Sequence, residues 1–334
     1  MRFSLRLNND LALPEYVALA QTAEAAGFDQ FWVSNDLFLR SAPVILSAVG
    51  VATERIEIGS CILNPYTINP SEIAMLAATM DELTNNRFNL GLAAGASDFL
   101  AWVGLTQKKP IAAMRQTITA IRALLAGERV PLTGSFLNWS DDSYLRFSAP
   151  RVTPIYLGAL GPQMLTLAGE LADGVLPLLF PPEHYFGVKP FIDGGLTKRA
   201  PQLQSLDFAA CIWVSLAEDS EAARRVLAEK IAYYGPSLSP LILERLGLTL
   251  EDFTSIKEAM AVKDNLDNAQ LLVTDQMLKI GIVGQPDDLI ERLEPLVEAG
   301  VTHLSFGPPL GPNPLAAIKL LGETILPHFR RNDG

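Results

Sequence analysis

The chain has 334 residues, 49% of them hydrophobic and 19% charged, and its 37 acidic against 26 basic side chains leave a formal net charge of −11. That apolar share excludes a disordered chain, and the acidity excludes a general nucleic-acid binder, which needs cationic surface to displace counterions from phosphates. Ordinary counts of 24 Gly and 23 Pro exclude collagen-like and low-complexity chains.

Residues 3–7 read as a first strand and 14–26 as a helix, with Pro14 in its first turn, Leu19, Ala20 and Ala23 as an apolar stripe, and Gly27 at the C-cap. A second strand follows at 31–33 and a helix at 43–53. The third strand spans 56–62, and the next helix, 71–83, starts at a capping Ser71 with Glu72 in its first turn. Residues 88–92 form the fourth strand and 111–126 a helix. Gly134, Asn138, Asp141 and Asp142, set between Leu132 and Phe147, mark 131–147 as a β-excursion. The alternation resumes with a strand at 155–157, a helix at 162–172 and a strand at 175–178. A long apolar strand at 208–216 precedes a charged helix at 218–234. Residues 236–280 read as a mostly helical insertion; a helix then leads to Gly300, a strand at 301–306 and a closing helix at 314–329.

Eight strands, each followed by helical material at roughly 42 residues per unit, predict a (β/α)8 TIM barrel. One domain over 1–334 is expected, with insertion material around 180–280. An open doubly wound sheet fits less well, because Asn8-Asn9-Asp10-Leu11 stands where a Gly-x-Gly-x-x-Gly fingerprint would follow the first strand.

Cys61 and Cys211 are too few for a disulfide scaffold and read as buried thiols in a reducing compartment. His184, His303 and His328 stand apart without partners at chelating spacing, so no metal site is predicted. The N-terminus lacks the parts of a signal peptide, and apolar runs of about ten residues at most fall short of the ~20 in a membrane helix. A cytoplasmic protein with neither membrane nor nucleic-acid partners is expected.

In a barrel, function collects where strands end and βα loops begin. Those positions here are Asn8-Asn9-Asp10, Ser34-Asn35-Asp36, Ser60 to Tyr66, Ala94-Gly95-Ala96-Ser97-Asp98, Gly158-Ala159-Leu160-Gly161, Pro177 and Gly307. They are small and polar, with no Ser–His–Asp set and no carboxylate dyad. Such rims suit a bound cofactor that carries the chemistry itself. Gly158 to Gly161, followed by Pro162, put backbone N–H groups beside a helix N-terminus, a candidate anion cradle. Gly91, Gly95 and the alanines between Gly91 and Asp98 would let a flat ring lie close to the backbone.

At these same segments the sequence resembles the luciferase-like family of flavin- and deazaflavin-dependent oxidoreductases, and within it the methylenetetrahydromethanopterin reductase branch. The matching pieces are Ala25-Ala26-Gly27-Phe28-Asp29-Gln30-Phe31-Trp32-Val33-Ser34-Asn35-Asp36-Leu37-Phe38, Asn64-Pro65-Tyr66-Thr67 with Pro70-Ser71-Glu72-Ile73-Ala74, and Asp81-Glu82-Leu83 with Arg87-Phe88-Asn89-Leu90-Gly91-Leu92-Ala93-Ala94-Gly95. They continue with Ile155-Tyr156-Leu157-Gly158-Ala159-Leu160-Gly161-Pro162 and Ala168-Gly169-Glu170-Leu171-Ala172-Asp173-Gly174-Val175.

The resemblance implies a pocket at the C-terminal mouth that holds F420 or FMN, a cis peptide at Cys61–Ile62 and a homodimer. By motif position the cofactor would meet Ser60, Cys61, Ile62, Asn64, Ala94, Gly95, Ala96, Gly158, Ala159, Leu160 and Gly161. Asn35 and Asp36 stand where many relatives have an acidic residue followed by His, and would act at the substrate side. Arg6 replaces a carboxylate of the reductase branch, which argues against methylenetetrahydromethanopterin as substrate.

The activity expected is hydride transfer between F420 (or FMN) and a small organic molecule. A two-component FMN monooxygenase using reduced flavin and oxygen is the alternative, and a non-catalytic cofactor-binding relative the third. Among other residues, Trp32 reads as core, Trp102 as a pocket wall, His184 and His303 as structural, and Lys189 or Lys198-Arg199 as contacts for an anionic cofactor tail.

Overall fold

In the computed structural model, which describes residues 1–263 and 265–331, eight parallel strands pair in chain order and the last returns to the first. They are β1 (Arg2–Leu7), β2 (Gln30–Val33), β3 (Glu57–Ser60), β4 (Phe88–Leu92), β5 (Ile155–Gly158), β6 (Gly174–Leu176), β7 (Asp207–Leu216) and β8 (His303–Leu310). The predicted (β/α)8 barrel is the observed architecture. The helices around it are α1 (Leu13–Ala25), α2 (Ala42–Ala52), α3 (Pro70–Thr84), α4 (Pro110–Leu125), α5 (Pro162–Leu171), α6 (Tyr185–Leu196), α7 (Ser220–Tyr234), α8 (Pro286–Glu298) and α9 (Pro314–Leu320).

Proline in the first turn starts α1 to α5, α8 and α9, where its missing N–H has no helical acceptor to lose. The cap of α3 is Asn69 rather than the expected Ser71: Asn69 Oδ1 accepts from Ser71 N at 3.0 Å and from its hydroxyl at 2.8 Å. The excursion after α4 is a two-residue antiparallel pair, Leu132–Thr133 with Asn138–Trp139.

Three segments differ from the sequence reading. Residues 185–196, read as insertion, form α6, which crosses α5 glycine to glycine. A Cβ on Gly169 would lie 2.3 Å from Ile192 O, and one on Gly195 2.0 Å from Thr166 O. Ile282–Gly284 is an additional strand that pairs with the distal part of β7, Ile282 opposite Val214. β8 continues past the expected end at 306 to Leu310, through a register shift after Gly307 and a cis Pro308–Pro309 bond. The segment between α7 and that extra strand consists of short helices with their own apolar cluster, in which Phe253, Ile256, Met277 and Ile280 pack on Leu227 and Ile231 of α7.

Strand alternation sends Phe3, Leu5 and Leu7 to the helix layer, where they are buried. The interior of the barrel holds Trp32, Cys61, Tyr156, Leu176 and Ala209, one from each of five strand segments. Glycines make room for its two rings: a Cβ on Gly59 would lie 2.2 Å from the Trp32 ring, and one on Gly174 2.1 Å from that of Tyr156. The rings meet edge-on at 4.9 Å. Trp32 is core, as expected.

Below them, at the N-terminal end of the barrel, is a floor of paired polar groups. Asp207 takes His303 Nδ1 at 2.9 Å, Tyr156 OH at 2.7 Å and Arg2 Nη1 at 3.2 Å, while His303 Nε2 meets Ser4 Oγ at 2.9 Å. Glu57 accepts from Arg2, Gln30 and Asn89 at 2.8, 2.7 and 2.8 Å. A cavity of about 740 Å³ opens at this end, bordered by Arg2, Glu57, Asn89, Tyr156 and Asp207 of this floor and by Arg122, Arg151 and Asp173. Its cations are already paired, Arg122 with Asp173 and Arg151 with Asp81. Barrel enzymes work at the opposite end, so this end serves stability.

The floor gives a pH prediction. Burial would raise the Asp207 carboxyl, but His303, Arg2 and Tyr156 outweigh it and hold it at about 2 against an ordinary 3.8. A folded value below the unfolded one stabilises fully above about pH 4, and that stabilisation, roughly 2 kcal/mol, is lost as pH falls through about 2. Asp207→Asn should therefore melt below wild type near neutrality, with the gap closing between about pH 4 and pH 2. Thermal melts across that range check it; a gap independent of pH would remove the carboxylate from this role.

Candidate active site

At the mouth, Asn9 locks the first two βα loops together. Its buried amide donates to Asp36 O at 3.1 Å and Arg40 O at 2.6 Å, and its oxygen accepts from Asp36 N at 3.2 Å. Asn35, one of the two expected substrate-side residues, directs its oxygen to Ala42 N at 3.1 Å and so fixes the start of α2. The Asp36 carboxylate makes no hydrogen bond or ion pair with a described residue and keeps partial exposure. Burial raises its affinity for a proton by more than Arg6 and Lys230 lower it.

The ends of β3, β4 and β5 converge. The Cys61–Ile62 peptide is cis, as the resemblance implied. Ser60 Oγ donates to Gly91 O and accepts from Gly91 N, both at 3.1 Å, so its side chain ties β3 to β4. Cys61 turns into the barrel, 3.8 Å from Ser34 Oγ. Ile62 packs over the Trp32–Tyr156 cluster and abuts β5: a Cβ on Gly158 would lie 3.1 Å from both Ile62 Cγ2 and Ala93 Cβ. Asn64 Oδ1 accepts from Tyr66 N at 3.2 Å, Thr67 N at 3.0 Å and Thr67 Oγ1 at 3.1 Å, which shapes its loop. Gly95 lies against Asn64 at φ +75°, and Gln107 Nε2 holds the carbonyls of Ala94 and Gly95 at 3.1 and 2.7 Å.

Further along the rim, Ala96 is exposed before the short helix Ser97–Trp102. Ala159 is buried, Leu160 is exposed, and Gly161 precedes α5 with no heavy atom within 4 Å of where a Cβ would stand. The first-turn N–H groups of α5 have no partners inside the helix. Trp102, expected as a pocket wall, is 61% exposed, stacked on Phe99 at 4.5 Å with Phe38 at 6.3 Å.

Two of the basic residues expected at an anionic tail, Lys189 and Arg199, are engaged elsewhere. Lys189 pairs with Asp193 at 2.6 Å, and Arg199 donates to the carbonyls of Gly169, Ala172 and Gln204, which precede β6 and β7 on the floor side. The two histidines read as structural are so placed: His303 in the floor, and His184 accepting from Arg245 Nε at 2.9 Å.

A charged group that the strand-end reading did not assemble lies in the mouth. Arg6 points inward between Cys61 and Cys211, and its Nη1 is enclosed without a hydrogen-bond partner. Burial pushes both thiols up, so the sulfurs around it are neutral. Lys230 of α7 lies with Nζ 4.4 Å from the Tyr234 ring and 5.3 Å from that of Trp213. Burial lowers it to about 8 although Asp10, Asp36 and Cys211 work against that. Trp213 in turn stacks on Phe180 at 4.1 Å. The readable signal was alternation, since Arg2, Ser4 and Arg6 share the inner face of β1. Nothing in the sequence tied Lys230 to them. Among the described residues no group of His, Cys, Asp and Glu could hold a metal ion, and no helix is long and apolar enough to cross a membrane.

Residues 1–303 match the luciferase-like monooxygenase family. The chain belongs to the luciferase-like family. It is 33% identical over 334 residues to a 5,10-methylenetetrahydromethanopterin reductase of Archaeoglobus fulgidus, covering 99% of this chain and 100% of that one. An F420-dependent glucose-6-phosphate dehydrogenase of Microbacterium testaceum is 28% identical, with 99% and 98% covered. The structure of the coenzyme F420-dependent tetrahydromethanopterin reductase of Methanopyrus kandleri superimposes with a TM-score of 0.91 at 29% identity, covering 98% of this chain and 99% of that one. The similarity to the reductase branch read from the motifs thus extends along the whole luciferase-like barrel.

Proposed function

We propose that the chain is an oxidoreductase that binds coenzyme F420 at the barrel mouth and exchanges a hydride between it and a small organic substrate. The observation that carries this is the full-length superposition on an F420-dependent reductase, at a TM-score of 0.91. The residues present fit such a ligand. Gly158 packs so closely on Ile62 and Ala93 that even a Cβ would crowd them, which suits a flat wall for a ring, and Gly161 opens in front of the α5 N-terminus, where an anionic tail is favoured.

In this reading Ile62, Ala94, Gly95 and Gly158 border the ring, and Ala96, Ala159, Leu160 and Gly161 border the tail. Ser60, Cys61 and Asn64 hold that wall in place through the contacts described above. The bound cofactor supplies the hydride chemistry. The chain supplies orientation, an apolar rim of Phe38, Phe99 and Trp102, and a carboxylate at Asp36 whose affinity for a proton burial raises. Asn35 acts by holding α2, and so positions Asp36. Arg6, in place of a carboxylate, sets this mouth apart from a methylenetetrahydromethanopterin site.

One barrel elaborated by the helices between α7 and α8, working as a cytoplasmic homodimer, completes the reading. α2 supports the dimer: it has no charged residue, and Val44 and Val51 are exposed on its outer face, 57% and 72%. Titration with F420 and with FMN, followed by cofactor fluorescence, tests the assignment. F420 should bind, the same preparation should sediment as a dimer, and Gly161→Asp should weaken F420 about tenfold by setting a carboxylate against the tail. Tight FMN binding without F420 binding would replace this reading with the monooxygenase, and binding of neither would leave a non-catalytic relative.

A further inference from the structure

A guanidinium taken out of water without an acceptor for one of its nitrogens is costly, and Arg6 is in that state. Its Nη1 is enclosed and unpartnered, and its sulfur neighbours are weak acceptors. Lys230 makes no ion pair with a described residue and rests on the rings of Tyr234 and Trp213. Asp36, in electrostatic reach of both cations, likewise lacks a partner for its carboxylate. All three keep partial exposure and lie within electrostatic reach of one another at the mouth. Two enclosed cations against one enclosed carboxylate leave a single positive charge to be balanced.

We propose that Arg6 and Lys230 form the receptor for one carboxylate of the substrate, so that the molecule reduced or oxidised at this mouth is a small organic acid. The inference rests on the placement of the reaction at the mouth given above and adds the substrate class. Arg6 presents the planar fork that suits a carboxylate, and Lys230 the second charge. A phosphate dianion would exceed the positive charge available, and Asp36 and the rim residue Asp10 would repel the excess. Asp36, ionised beside the two cations, stays opposite the bound carboxylate as a group able to take up a proton. The site depends on pH through Lys230, which faces Asp10, Asp36, Cys211 and Arg6 and loses its proton near pH 8.

Calorimetric titration of the whole chain with butyrate, its neutral isostere butyramide and inorganic phosphate tests this. At about pH 6.5 butyrate should bind at least tenfold tighter than butyramide and tighter than phosphate, and its affinity should fall several-fold at about pH 9.5. Arg6→Gln and Lys230→Met should each weaken butyrate about tenfold while F420 affinity changes less than about twofold. Equal affinities for butyrate and butyramide, or preference for phosphate, would overturn the proposal. If Arg6→Gln does not fold, Lys230→Met and the butyrate–butyramide pair decide alone. Butyrate binding without F420 binding would sink the cofactor reading and keep the acid site; the reverse would sink the acid site only.

Discussion

Gly91→Ala should destabilise the protein by about 3 kcal/mol and lower its thermal midpoint by roughly 4 °C. The added Cβ would lie 1.8 Å from Ser60 O and 3.0 Å from Ser60 C. Both are backbone atoms of the neighbouring strand, so no side-chain rotation relieves the collision. They also cannot retreat freely, because Ser60 Oγ bonds both the carbonyl and the N–H of Gly91 at 3.1 Å. Relief therefore requires β3 and β4 to part just where Cys61 and Ile62 leave the strand. Gly161→Ala provides the contrast: nothing lies within 4 Å of its Cβ and its φ is −89°, so it should melt with wild type. Circular-dichroism melts of the two variants suffice, and a wild-type midpoint for Gly91→Ala would show that the two strand ends do not pack this closely.

The barrel was legible because its strands are buried on both faces and its helices announce themselves. All eight barrel strands were placed from apolar runs, and Pro14, Pro43, Pro70 and Pro162 sit in first helical turns. α6 was not, because Gly187, Pro190, Gly194 and Gly195 remove its helical signature; Gly169 and Gly195 are small so that α5 and α6 can touch. β8 was cut short at Phe306 because Pro308-Pro309 reads as a strand end, whereas the chain continues pairing through Leu310 opposite Ser215.

The mouth divides in the same way. Positions at strand ends follow from topology alone, so Ile62, Gly95, Gly158 and Gly161 could be singled out without any contact being known. What a side chain does there could not. Asn35 resembled a chemical group and fixes a helix, and Asn64 shapes its own loop. Arg6 and Lys230 come from β1 and α7, and only closure of the barrel brings them within electrostatic reach of each other. The net charge of −11 adds a constraint. Anions must be drawn in against the overall field by local donors, which Arg6, Lys230 and the α5 N-terminus provide.

Asp81→Ala should cost about 3–5 kcal/mol, since it removes a fully buried carboxylate from the half-buried Arg151 and leaves Thr153 Oγ1 and Phe88 N without their acceptor. Asp81 is fully buried near the end of α3, and its carboxylate takes Arg151 Nη2 at 2.9 Å, Arg151 Nε at 3.1 Å, Thr153 Oγ1 at 2.5 Å and Phe88 N at 3.2 Å. Arg151 also donates to Phe88 O at 2.7 Å, so one carboxylate organises the start of β4 and the approach to β5. Removing both charges together, as Asp81→Leu with Arg151→Met, should recover part of the loss, because no charge is then stranded. Thr153 and Phe88 N would still lack an acceptor, so recovery stays incomplete. Denaturant melts of the two single variants and the double variant measure the coupling, and strict additivity would mean that the pair does not act as a unit. The cluster is at the floor end of β4, whereas Ala94 and Gly95 follow its other end. Well below its melting temperature Asp81→Ala should therefore bind F420 as wild type does, separating stability at the floor from recognition at the mouth.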